Sequence, residues 1–95
     1  MTTRKLPRPF EMHWGSGEIV EEASCDGEWH EPTIQLMAYT EGEAAGSYSI
    51  RFCTYRHRGG FQRSPLMVSE ADLVGLRKAL KETPRLHAIL KRLVD

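Results

Sequence analysis

Between Arg8 and Arg51 the chain has no lysine or arginine, and from residue 47 to residue 63 it has no aspartate or glutamate. These two absences sort the charge into halves. Residues 1–50 hold three cationic side chains against nine acidic ones, a net of −6. Residues 51–95 hold ten against four, a net of +6, and the formal charge of the whole is zero. Such a split allows a local positive field for an anionic partner on a neutral molecule, or oppositely charged halves that pack on each other or associate head to tail. Long apolar runs are also missing: none approaches the roughly 20 residues that span a bilayer. The basic start, residues 1–9, is followed by no apolar segment of signal-peptide length, so a cytoplasmic protein is expected. Cysteine is scarce, with Cys25 and Cys53 alone, and in that compartment both are expected as thiols.

The same scarcity weighs against metal and catalytic chemistry. No Cys-x-x-Cys pair exists, and Cys53 and His57 stand about 13 Å apart on an extended strand rising about 3.3 Å per residue. His13, His30 and His87 add no second pair of suitable spacing. Neither a Gly-x-Ser-x-Gly nucleophile turn nor a phosphate-cradling glycine loop is present. The expectation is a non-enzymatic protein without metal or cofactor. Ninety-five residues suit one domain, here a loose arm over 1–9 and a single α+β domain over 10–95.

Along the chain, alternating apolar residues predict strands over about 18–25, 29–39, 47–57 and 61–68, with Asp26-Gly27 as a tight hairpin signal. Ser69 is a good N-cap for a helix carrying Leu73, Leu76 and Leu80 on one stripe. Thr83 and Pro84 stop that helix and start a second, with Leu86, Ile89, Leu90 and Leu93 at helical spacing. The expected fold is α+β: a four-stranded antiparallel meander followed by two C-terminal helices (β-β-β-β-α-α), with the helices on one face. Trp14 and Trp29 are expected as core or interface anchors.

The stretch 47–63 carries the functional hint. Arg51, Arg56, Arg58 and Arg63 alternate with aromatic residues around Gly59-Gly60. A two-residue loop would set Arg56 against Arg63 and mix the faces, and like charges directly opposite destabilise a pair. A three-residue loop, Arg58-Gly59-Gly60, pairs His57 with Phe61, Tyr55 with Arg63, Phe52 with Leu66 and Ile50 with Val68, so that apolar positions share one face. The other face then holds Arg51, Tyr55, His57, Phe61 and Arg63, with Arg56 and Arg58 at its rim. Planar groups beside guanidinium charge suit single-stranded nucleic acid, where one stacked base is worth roughly 1–3 kcal/mol. The same residues equally form ordinary cross-strand pairs worth roughly 0.2–1 kcal/mol each.

The run 49–55, a glycine turn, and 64–70 leading into Leu73, Leu76 and Leu80 resemble the C-terminal half of the transcriptional coactivator/Whirly-type single-stranded DNA-binding fold, over about residues 47–82. That resemblance implies four antiparallel strands and a helix, dimerisation through helices, and single strands held on the sheet by basic and aromatic residues. Two functions are therefore carried forward: a single-stranded nucleic-acid-binding module, homodimeric through its C-terminal helices, or a protein–protein interaction adaptor that binds no nucleic acid.

Overall fold

A computed structural model of the chain describes residues 4–57, 60–61 and 65–95. The chain forms five strands, β1 (Arg8–Met12), β2 (Gly15–Ser24), β3 (His30–Gly42), β4 (Tyr48–Arg56) and β5 (Leu66–Ser69), then a 3-10 turn (Glu70–Asp72) and helices α1 (Leu73–Leu80) and α2 (Pro84–Val94). The sheet is an antiparallel meander in the order β1-β2-β3-β4-β5. The α+β class and the two C-terminal helices stand as expected, but the strand number is five rather than four. The added strand is β1. Its Arg8 pairs with Ile19 and its Met12 with Gly15 across the His13-Trp14 turn. Prolines 7 and 9 and the cationic start disguise it as an arm, yet proline is tolerated on an edge strand.

The Asp26-Gly27 signal also reads too tightly. Residues 25–29 form a longer connection between β2 and β3, closed by the Cys25 amide donating to the Pro32 carbonyl at 3.2 Å. At the other end of β3, Gly42 has a φ of +90° and lies against Gly15. A Cβ there would meet the Gly15 Cα at 2.6 Å, so both the backbone conformation and the space favour glycine.

Helix ends follow their expected residues. The Ser69 hydroxyl accepts from the Ala71 amide at 3.4 Å, and Pro84 opens α2. Thr83 occupies the N-cap position, but its hydroxyl donates backwards to the Leu80 carbonyl instead of capping α2.

Two shifts in the β2–β3 register, between Ser16 and Gly17 and between Ile19 and Glu21, decide which residues share a face. Ile19 lies opposite Met37, and Glu21 lies opposite Leu36, leaving Val20 as the extra residue of a bulge. Beyond it, Glu22 faces Gln35 and Ser24 faces Thr33. One face of the sheet, here called inner, therefore carries Ile19, Glu22, Gln35, Met37, Arg51 and Tyr55 among others. The opposite, outer face carries Ile34, Leu36, Ile50, Phe52, Leu66 and Val68.

Burial runs against the sequence expectation. Glu31, Thr33, Gln35, Met37, Tyr39, Ser49, Arg51, Cys53 and Tyr55 on the inner face are all buried, whereas Phe52 and Leu66 on the outer face are exposed. Neither α1 nor α2 buries a single residue. The apolar face expected as the core is the one left uncovered.

Candidate interaction surface and the polar cluster behind it

The inner face is a connected set of polar bonds. β1 and the residues before it bring two arginines over the sheet. The Arg4 guanidinium pairs with Glu31 at 3.0 Å and lies 3.7 Å above the Tyr55 ring centroid. Arg8 pairs with Glu22 at 2.7 Å. Gln35 donates to Glu22 at 2.6 Å and to the Tyr55 hydroxyl oxygen at 2.9 Å, and its carbonyl accepts from Arg51 Nε at 2.6 Å. A buried amide between a carboxylate, a guanidinium and a phenol has its donor and acceptor sides both used, which is what keeps polar burial tolerable. Farther along, Phe10 meets Tyr39 edge-on at 5.1 Å and Trp14 donates to the Tyr39 hydroxyl at 3.1 Å.

The titrating groups respond to this enclosure. Burial works to raise the Glu22 carboxyl, but hydrogen bonds from Arg8 and Gln35, with the charges of Arg8 and Arg4, hold it below the usual carboxylate range. Burial works to lower Arg8, and its bonds to Glu22 and Tyr55 raise it instead. The Cys53 thiol is pushed up by burial, with the Arg51 charge opposing, which leaves it a poor nucleophile. Among the described residues, no group of three or more His, Cys, Asp or Glu side chains could hold a metal ion.

The hairpin keeps half of its expected register. Ile50 faces Val68 and Phe52 faces Leu66 at its base, as the three-residue loop requires. Nearer the tip, Phe61 bridges to Tyr55 rather than to His57, and the Arg56 amide donates to the Gly60 carbonyl at 2.6 Å. From Phe61 to Leu66 the chain advances five positions while their partners on β4 are three apart, so the pairing slips by two. No parity argument sees that slip, because it moves the chain by two and leaves the faces unchanged.

The expected site residues separate accordingly. Arg51, Tyr55 and Phe61 are together on the inner side: Phe61 lies edge-on to Tyr55 at 5.2 Å, and the Arg51 guanidinium stands 4.7 Å from the Phe61 centroid. Arg51 is 8% exposed and Tyr55 6%, while Phe61 is 40% exposed. His57 is exposed and turned away, 2.9 Å from the Gly27 carbonyl and 3.4 Å from the Asp26 carboxylate. Arg56 is exposed opposite His30 on the outer side. Arg58 and Arg63 lie outside the described residues. The sequence pattern does not single out Arg4, Arg8 and Gln35, and Glu22, which with Glu18 and Glu21 reads as a solvated charge on an edge strand, is instead bonded to Arg8 and Gln35 on an inner strand. The signal for them was the scarcity of cations in the first half, which left buried carboxylates few local partners.

The outer face has the opposite character. Ile34, Leu36, Ile50 and Val68 are half-buried, and Phe52 is 38% exposed. One groove of about 560 Å³ runs between Ile34, Pro32, Phe52 and Thr54 and is reached by Leu93 of α2. Along the helices, Leu73, Leu76, Leu86, Ile89, Leu90 and Leu93 are exposed. Trp29, expected as an anchor, is 75% exposed. No helix is long and apolar enough to cross a membrane among the described residues. No family model, curated protein or solved structure matches this chain.

Proposed function

We propose that this chain is a non-enzymatic protein-interaction module that works through the outer face of its sheet and its helical pair. The observation that supports it is the coexistence of an uncovered apolar sheet face with two amphipathic helices that bury no residue. A contiguous apolar surface of this kind marks an interaction site, because leaving it in water forgoes about 25 cal/mol for each Å².

Single-stranded nucleic-acid binding is the second reading, and one observation favours it. Arg56, His57 and Phe61 are exposed at the end of the hairpin, although Arg51 and Tyr55, the centre of the stacking row, are buried and engaged.

Two measurements on the full chain test the first reading. Hydrogen exchange is expected to find α1 and α2 protected in the wild type, and opened by Phe52→Glu while β2, β3 and β4 stay protected. Fluorescence anisotropy with labelled single-stranded DNA and RNA is expected to show no salt-sensitive binding. Binding that falls steeply with salt and is indifferent to Phe52→Glu overturns the reading in favour of nucleic acid.

A further inference from the structure

The occupant of the outer face can be argued from area, charge and connectivity. The accessible surface is 7417 Å², whereas a compact monomer of this mass exposes about 5,500 Å². The excess is about 1,900 Å² per chain, within the roughly 1,000–2,500 Å² that each partner buries in an obligate dimer. The radius of gyration is 14.6 Å, against about 12.4 Å for a compact chain of this length.

Both halves of such an interface are present on one chain. The sheet offers Ile34, Ile50 and Phe52, and the helices offer Leu86, Ile89, Leu90 and Leu93. Their surroundings differ in charge. Glu21 is exposed opposite Leu36 on the outer side and Arg56 opposite His30 on the same side, so the acidic group that would receive Lys91 and Arg92, the neighbours of Leu90 and Leu93, is on β2. A surface that is its own complement is what a two-fold pair requires, since each contact is then made twice. The chain's own α2 reaches this face through Leu93, beside Ile34 and Phe52, and leaves Leu86, Ile89, Leu90 and Leu93 exposed.

We propose that the outer face is covered by the helical pair of a second copy, in a two-fold dimer where α2 of each chain lies across Ile34, Ile50 and Phe52 of the other. This rests on the protein-interaction reading and names its partner.

The first measurement is the mass of the full chain by sedimentation equilibrium. Twice 10.8 kDa is expected, with a melting temperature that rises with protein concentration. The second mixes isotope-labelled and unlabelled chains and seeks interchain methyl contacts from Leu90 and Leu93 to Ile34, Ile50 or Phe52. The double variant Leu90→Glu, Leu93→Glu is expected to run as a folded monomer. A wild-type mass of one chain at every concentration overturns the dimer. So does a dimer whose Leu90 and Leu93 contacts to the sheet are all intrachain. Either result is separate from failure of the broader reading, which is decided by salt-sensitive oligonucleotide binding.

Discussion

The inner and outer faces of one sheet solve burial in opposite ways. On the inner face, polar side chains are covered, and each main contact is specific: Glu22 takes both Arg8 and Gln35, and Gln35 takes Tyr55 and Arg51. On the outer face, aliphatic and aromatic side chains are half-buried or exposed, and the helices that could cover them are themselves exposed. The inner face is held by contacts within one chain, with Arg4 Nη1 left buried and without a hydrogen bond, and its stability belongs to that chain. The outer face gains its stability only when something sits on it. Alternation in β3 and β4 says which residues share a face, and it is silent on which face is covered.

The contrast breaks or sharpens under substitution. The largest loss is expected for Glu22→Ala, which removes the carboxylate that Arg8 and Gln35 share. It should cost about 2.5 kcal/mol, as losing hydrogen bonds to a charged group at a part-buried pair does. Denaturant midpoints should show that loss equally at low and high protein concentration. Next comes Phe52→Ser, costing about 2 kcal/mol where the phenyl ring is covered and only a fraction of that in dilute protein. A loss independent of concentration would erase the distinction between the faces.

These expectations mark what was legible in the sequence. Ser69, Thr83 and Pro84 place the helices, and pairing Ile50 with Val68 follows from apolar parity alone. β1 was hidden because Pro7, Pro9 and three cations resemble a tail, and its value lies in contacts distant along the chain. Arg8 is 14 residues from Glu22, and Arg4 is 27 from Glu31. Of the stacking row, parity correctly put Arg51, Tyr55 and Phe61 together. Their enclosure depends on arginines that no local pattern connects to them.

A smaller effect is expected from acid. Glu22 has a native pKa below its ordinary value of 4.5, so the native state binds its proton less readily than the unfolded chain does. Its contribution is present above 4.5 and is lost as pH falls through the lowered native value. Thermal melting from neutral to acid pH should show a decline smaller than the Glu22→Ala loss. Glu22→Gln should flatten it; an unchanged slope would remove Glu22 as its source. Smallest of all, Trp29→Ala should shift the unfolding free energy by less than about 0.5 kcal/mol, since Trp29 is 75% exposed. A larger shift in calorimetry would assign Trp29 to a contact surface.

The extra residue at Val20 works like a change of reading frame written in space. Before it, β2 sends Ile19 inward; after it, Glu22 rather than Glu21 follows Ile19 inward, so the strand changes phase without changing partner. Two substitutions an even number of positions apart, which ordinary alternation would put in the same environment, therefore meet opposite ones when they straddle Val20. A lysine at position 21 would remain at the surface, whereas a lysine at position 22 would stand against Arg8. Insertions or deletions in this strand are consequently more disruptive than their length suggests, because each one exchanges the polar layer for the apolar one.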